Sequence, residues 1–245
     1  MKKAKEKKLT TWISSNGKGV TLLELMIALV IAGIVVAGIY RIFITQTKAY
    51  TVQDQVVEVQ QGIRSAMEII LRDLRMAGYD GNSTPSKLLN GIFPGDYSLA
   101  VSDSAVRIEY RVNGLVNTKV LARTVASELV EDFYIDGVQQ AGYPVVLLGN
   151  VNALTFAYAV DGKIGLDDTQ DGNIDDLNGD NQITGLDFLP AATVDLGDLN
   201  VIAVRVALTA SPTSVDAQDD RFKMLQPRTL VSTITLRNLS LVKTE

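Results

Sequence analysis

The 245-residue sequence contains no cysteine and no histidine. Without cysteine, disulfides, zinc–thiolate sites and thiol chemistry are all excluded. Without histidine, the chain lacks the side chain that most often serves as a general base and as a metal ligand. Hydrolases that depend on a serine–histidine pair or on a histidine-bound metal are therefore excluded as functions of this chain.

Positive charge is scarce outside the N-terminus. The first 19 residues contain six lysines and one glutamate, which gives them a net charge of +5. The whole chain has a net charge of −5, so removal of residues 1–19 would leave 17 basic and 27 acidic residues, a net charge of −10. Because so acidic a chain is a poor candidate for binding nucleic acid, we expect no nucleic-acid partner. The basic N-terminus is typical of a segment retained on the cytoplasmic side of a membrane.

Charged residues are also absent from residues 25–40. Together with the residues just before it, this run makes an apolar segment over 20–40, about the length that spans a bilayer. It is open to three interpretations: a secretory signal peptide, an uncleaved signal anchor, and a segment that is cleaved on its cytoplasmic side. Glu24, at the start of the segment, argues against an ordinary secretory signal. A carboxylate placed in apolar surroundings needs a cationic partner.

The residues around Glu24 form a short, specific motif that follows the lysine-rich leader. It reads Lys18-Gly19-Val20-Thr21-Leu22-Leu23-Glu24-Leu25-Met26. This motif resembles the N-terminal signal of the type IV pilin and pseudopilin superfamily, with Val20 where phenylalanine is usual. The resemblance implies that a membrane peptidase–methylase cuts after Gly19 and methylates the new amine of Val20. It also implies that Glu24 meets the N-terminal amine of a neighbouring subunit, so that other pilins are partners through this helix.

The helical pattern continues beyond the apolar segment. No proline lies between Val20 and Met76, and apolar residues recur at spacings of three and four, which predicts an amphipathic helix. These residues are Val52, Val56, Val59, Ile63, Met67, Ile70 and Leu74. We therefore predict one helix over residues 20–76, in which 20–40 is the transmembrane and filament-core part. At 1.5 Å per residue its length would be about 85 Å.

Residues 77–245 are predicted to form a β-rich globular head. Short runs rich in β-branched residues, separated by Asp, Gly and Asn, predict strands. The runs are 106–112, 118–125, 129–135, 144–148, 151–160, 200–210 and 230–236. The expected fold class is α+β and pilin-like, with the amphipathic half of the long helix packed on an antiparallel β-sheet head.

Two shorter segments refine the resemblance. Residues 72–79 are similar to the segment that closes the long helix of PilW-type minor pilins, and residues 221–238 are similar to the C-terminal region of that group. This implies a minor pilin that acts in pilus assembly, priming or at the tip. It would be a single-pass inner-membrane protein with a periplasmic head before assembly, and part of a cell-surface pilus afterwards. A GspJ-like pseudopilin of type II secretion is the alternative, because it shares the architecture, and a membrane-anchored enzyme is a remote third interpretation.

The acidic segment 167–188 contains seven aspartates, and two overlapping registers within it fit the calcium-loop spacing. The better register consists of Asp176, Asn178, Asp180, Gln182, Thr184 and Asp187. In this register Asn181 stands where glycine is usual, and Ile183 is expected to point inward. An overlapping, weaker register consists of Asp167, Thr169, Asp171, Asn173 and Asp175. We expect one calcium ion, with two ions or a solvated acidic loop as alternatives. No catalytic residue is assigned, although a pair such as Asp175 and Asp176 would suffice for glycosidase chemistry.

Overall fold

The computed structural model describes residues 19–79, 92–94, 100–161, 173–190, 200–212 and 226–236. In this part of the chain there are one α-helix, a short 3₁₀ turn and ten β-strands. The helix is α1 (Leu22–Arg75), and the 3₁₀ turn covers Gly185–Asp187. The strands are β1 (Ile92–Pro94), β2 (Ala100–Val112), β3 (Leu115–Thr124), β4 (Leu129–Ile135), β5 (Val138–Gln139), β6 (Val145–Leu148), β7 (Val151–Asp161), β8 (Leu189–Pro190), β9 (Asn200–Ala210) and β10 (Arg228–Thr235).

α1 runs without interruption for 54 residues, and its bounds lie within two residues of those predicted. Where polar residues follow the apolar segment, the Thr45 and Thr47 hydroxyls donate to the carbonyls of Arg41 and Phe43, at 2.9 and 3.0 Å. These bonds satisfy the hydroxyls within the helix, so the threonines are accommodated there. Just beyond the helix, Gly78 has a φ of 70°. This left-handed conformation is common at helix C-termini because glycine adopts it without steric cost.

The chain divides into two compact units, Met1–Tyr50 and Thr51–Glu245. The boundary falls inside α1, whereas the sequence placed the start of the head at residue 77. The second half of α1 belongs to the head because its apolar stripe is buried there. Ile63, Met67, Ile70 and Leu74 are each at most 3% exposed.

The strands of the head form two antiparallel sheets. The first has the order β1-β2-β3-β4-β5, with β6 also paired to β4, and the second has the order β10-β9-β7-β8. The predicted α+β class is confirmed, although the sequence did not indicate that the strands divide between two sheets. All seven predicted strands correspond to observed ones. The three that were missed, β1, β5 and β8, have only two or three residues each, too few for a periodic pattern.

The main hydrophobic core combines the buried face of α1 with the inner faces of both sheets. It includes Met67 and Ile70 from α1, Ile108 from β2 and Leu154 from β7. Gly62 permits a close approach at this interface, because a Cβ added there would lie 2.9 Å from Leu148 Cδ1. Full burial of each large apolar side chain stabilises the fold by about 1.5–3 kcal/mol.

A buried ion network joins α1 to the first sheet. Lys119 of β3 donates to Asp73 Oδ2 of α1 at 3.0 Å and to Glu131 Oε1 of β4 at 2.7 Å. Both carboxylates are buried, and Asp73 Oδ1 also accepts a hydrogen bond from Arg72 Nε at 3.3 Å. Burial lowers the pKa of Lys119, but hydrogen bonds and the charges of Glu131 and Asp73 outweigh it and raise the pKa above its usual value. Lys119 is therefore held as a cation between two carboxylates.

We expect the head to lose stability at alkaline pH. Besides Lys119, Tyr134 has a raised pKa, about 12, because burial and its hydrogen bond to Asp132 disfavour the phenolate. A group whose pKa is higher in the folded state stabilises the fold fully below its unfolded pKa, about 10 for both groups, and loses that contribution as the pH rises through the folded pKa. Melting temperatures of the protein in detergent should therefore fall from about pH 10 upward. Tyr134→Phe should make the fall shallower, and an identical fall in this variant would contradict the role given to Tyr134.

Candidate functional site

The first candidate site is the start of α1. Gly19 and Val20 are exposed and lie outside the helix, which begins at Leu22. Leu25 N donates to Thr21 O at 3.1 Å, and Glu24 N donates to Thr21 Oγ1 at 3.3 Å. Thr21 therefore caps the helix N-terminus. The Gly19–Val20 peptide bond precedes this cap, so it is not protected by helical hydrogen bonding.

Sequence reasoning assigned no role to Thr21. Its signal was the Thr-x-x-Glu spacing from Thr21 to Glu24, which is the spacing of a capping box. The cap matters for the site because it fixes where the helix begins. Val20 and Thr21 lie between the predicted cut and Leu22, the first residue of α1. The cap thereby separates the non-helical residues Gly19 and Val20 from the helix that follows.

Glu24 lies in the first turn of α1 and its side chain is exposed. The partial positive charge of the helix N-terminus favours a carboxylate at this position. Within the described residues, Glu24 forms no ion pair with another side chain. Its carboxylate is therefore available to a cation from outside the chain, the partner that an acid in apolar surroundings requires.

The apolar side chains of the first half of α1 are not buried against any other part of the described structure. From Leu22 to Ile44 every large hydrophobic side chain is exposed, with Leu22 at 79% and Ile34 at 68%. A continuous apolar surface of this extent is unusual for a soluble protein and marks a membrane or protein contact. Among the described residues, α1 is also the one helix long and apolar enough to cross a membrane, judged by length and composition.

The second candidate site is the acidic loop after β7, described from residue 173 to residue 190. Asp167, Thr169 and Asp171 of the weaker register lie outside the described residues. Of the other two members, Asn173 is exposed and Asp175 is buried. Asp175 N donates to Val160 O at 3.1 Å, which ties this end of the loop to β7.

The better register begins with a series of tight turns in which side-chain oxygens accept backbone hydrogen bonds. Asp176 accepts from Gly179 N at 2.8 Å and from Asn181 N at 2.6 Å. Asn178 Oδ1 accepts from Asp180 N at 2.9 Å, and Asp180 Oδ1 accepts from Gln182 N at 2.8 Å. Asn181 has a φ of 58°. It takes the left-handed conformation that glycine usually supplies at this position of the pattern, which asparagine tolerates better than most residues.

Asp187, the last member of this register, is fully buried and closes the loop. Its Oδ1 accepts from Leu177 N at 3.0 Å, and its Oδ2 accepts from Thr184 N at 2.6 Å and from Thr184 Oγ1 at 3.2 Å. Burial raises the pKa of this carboxyl, but the backbone and hydroxyl donors outweigh burial and lower the pKa below its usual value. Asp187 and Thr184 thus form a capping box on the 3₁₀ turn.

Two features of this loop differ from the prediction. Ile183 is 52% exposed, so the expectation that it points inward is wrong. The buried anchor of the loop is instead Asp187, whose burial is possible because backbone donors satisfy both oxygens. In addition, no group of three or more acidic side chains within the described residues is arranged to hold a metal ion. Asp176, Asn178 and Asp180 share one turn, while Asp187 is engaged separately as a cap.

The adjoining surface of the second sheet contributes an arginine to this loop. A Cβ on Gly185 would overlap the guanidinium of Arg205, which lies on β9. Glycine is therefore required at position 185 for the 3₁₀ turn to pack against that side chain. No sequence pattern links residues 185 and 205, so only the folded chain reveals the contact.

A comparison with protein-family models supports the first site. Residues 14–40 match the family model of the prokaryotic N-terminal methylation motif. The chain is also similar to a type IV-like pilin from Thermus thermophilus, with 12% identity and a TM-score of 0.41 over 74% of this chain and 98% of that one. No curated protein sequence matches significantly. The predicted methylation motif is thus confirmed, whereas the cut after Gly19 stays a prediction.

Proposed function

We propose that this chain, a type IV pilin-like protein that carries the prokaryotic N-terminal methylation motif, is a minor pilin processed between Gly19 and Val20. The observation that carries the proposal is the exposed apolar surface of α1, which begins directly behind the motif. Residues 20–40 would anchor the chain in the inner membrane before assembly and lie among other pilin helices afterwards. The head would be periplasmic first and part of the surface fibre later. In this role the chain is a structural subunit and a substrate of the peptidase–methylase.

Glu24 supports the assembly step of this proposal. A carboxylate removed from water among apolar helices is strongly destabilised unless a cation compensates it. The methylated amine of Val20 on an adjacent subunit supplies that cation and keeps its charge, because methylation leaves the nitrogen protonated. The pairing would hold subunits in one register along the filament.

The change Glu24→Gln tests this role directly. We expect normal cleavage and membrane insertion, but loss of most incorporation into filaments, because glutamine cannot pair electrostatically with the amine. The measurement is immunoblotting of sheared filaments against the membrane fraction. Glu58→Gln is the matched control, since Glu58 is an exposed acid on the same helix beyond the apolar segment. Equal incorporation of the Glu24 and Glu58 variants would contradict the assembly role.

The same fractionation separates a pilus subunit from a pseudopilin. A minor pilin should be recovered with surface fibres, whereas a pseudopilin would remain in the periplasmic fraction.

For the acidic loop we propose one structural calcium ion held by residues of the better register. The support is the series of oxygen-bearing side chains at alternate positions from Asp176 to Gln182, together with the left-handed Asn181. Because the described carboxylates do not converge as they stand, binding would have to be coupled to a rearrangement of the loop. Metal binding that is coupled to ordering stabilises the folded state by mass action.

Thermal unfolding of the full protein in detergent, at increasing calcium concentration, measures the stabilisation by calcium. At a calcium concentration 100 times the Kd, the expected gain in the free energy of unfolding is about 2.7 kcal/mol. The double variant Asp176→Ala, Asp180→Ala should lose the gain, while Asp54→Ala, an exposed acid on α1, should keep it. An unchanged melting temperature in the presence of calcium would show that the acidic loop binds no stabilising calcium ion.

A further inference from the structure

A cleft of about 280 Å³ opens in the head between α1 and the beginning of β10. Its lining residues are Gln60, Ile63, Arg64, Arg228, Thr229 and Leu230. Ile63 belongs to the hydrophobic core and Leu230 packs against that core. Part of the wall is therefore apolar, while two arginines from distant parts of the chain supply the charge.

The two arginines of this cleft, Arg64 and Arg228, are both exposed. In the described part of the structure, neither Arg64 nor Arg228 forms an ion pair or a side-chain hydrogen bond. This is unexpected in a protein that would carry a net charge of −10 without its first 19 residues. Acids are abundant, yet the two arginines that line this cleft form no ion pair with any acid of the described residues. An anion bound in the cleft would be attracted by both positive charges.

The chemistry of the lining points to a particular kind of anion. A guanidinium presents its donors in a planar fork that matches a carboxylate through two parallel hydrogen bonds. The half-buried Leu230, which lines the cleft beside the buried Ile63, suits a ligand that carries a short hydrocarbon stem next to its charge. A carboxylate such as an aspartate or glutamate side chain has that stem, whereas inorganic phosphate is polar on every side. Gln60 also lines the cleft and carries an amide that can hydrogen-bond to a carboxylate.

We propose that this arginine cleft is a carboxylate-binding site, used either by a small dicarboxylate or by an acidic segment of another protein. The proposal does not depend on the chain being a minor pilin, because it concerns only the head. Binding to the purified protein can succeed when the assembly role fails, and the reverse also holds.

Isothermal titration of the full protein in detergent at constant ionic strength tests the proposal with three probes: glutarate, a capped tetraglutamate peptide and inorganic phosphate. We expect a carboxylate probe to bind more tightly than phosphate. Tighter binding of glutarate assigns the site to a small molecule, and tighter binding of the peptide assigns it to an acidic protein segment. Arg64→Gln and Arg228→Gln should each weaken binding about tenfold, the factor for one charge-assisted hydrogen bond, and the double variant should abolish it.

Arg41→Gln is the matched control, since it removes one exposed arginine outside the head and should leave affinity unchanged. Each variant should also melt at the wild-type temperature without ligand, because both cleft arginines are exposed. Phosphate binding as tight as that of the carboxylates would overturn the ligand assignment. Affinity that survives in the double variant, or no binding by either carboxylate, would overturn the site.

Discussion

Replacing Gly19 with valine should abolish removal of the leader. A Cβ at Gly19 would meet nothing within 4 Å, so the substitution does not disturb the fold. Its effect would arise in the peptidase, which would have to accommodate residue 19 at the cut, where a branched side chain adds bulk. The uncleaved protein should keep residues 1–19 with their charge of +5, and intact-mass measurement detects this.

A second readout comes from tryptophan. Trp12 is the only tryptophan in the chain and lies in the leader. Processed wild-type protein should therefore show no tryptophan emission, whereas the Gly19→Val protein should show it. Gly17→Val is the matched control, because Gly17 lies two residues before Gly19 and should be removed with the leader in either case. A wild-type protein whose N-terminus is not Val20 would contradict the cut, as would equal processing of Gly19→Val and wild type.

Replacing Lys119 with methionine should destabilise the head by about 3–5 kcal/mol, the usual result of removing one partner from a buried ion pair. Among the described residues, the variant leaves the buried carboxylate of Glu131 without a cation, and Asp73 keeps its ion pair with Arg72, whose side chain is 65% exposed. For a domain of this size, such a loss would lower the melting temperature by roughly 6–20 °C. Thermal and denaturant unfolding followed by circular dichroism would measure it.

The double variant Lys119→Met, Glu131→Leu distinguishes the loss of the favourable ion pair from the cost of leaving the Glu131 carboxylate buried and unpaired. It removes the uncompensated carboxylate as well, and replacement of a whole buried pair by apolar residues is often close to neutral. We therefore expect the double variant to be more stable than the single one. If both are equally destabilised, the loss in Lys119→Met comes from packing around the lysine stem, and the electrostatic explanation is wrong.

Structural features that depend on the spacing of residues close together in the sequence could be predicted from the sequence alone. The 3.6-residue spacing correctly indicated the face of α1 that is buried from Ile63 to Leu74, because helix geometry places those residues on one side. In the acidic loop, local spacing was not enough to predict which side chain is buried. Its alternating Asp and Asn turns follow local spacing, but the prediction that Ile183 points inward was wrong. Which side chain is buried there depends on what the rest of the head places against it.

The sequence by itself determined the methylation motif, the long helix, the α+β class and the approximate positions of the strands, because each depends on periodicity or on a contiguous signature. Only the tertiary structure decided that the strands form two sheets and that Asp73, Lys119 and Glu131 meet in one network. It alone brought Arg64 and Arg228 to a common cleft and buried Asp187 among backbone donors. Those contacts join residues far apart in sequence, and their partners depend on the packing of the whole head, which no local pattern encodes.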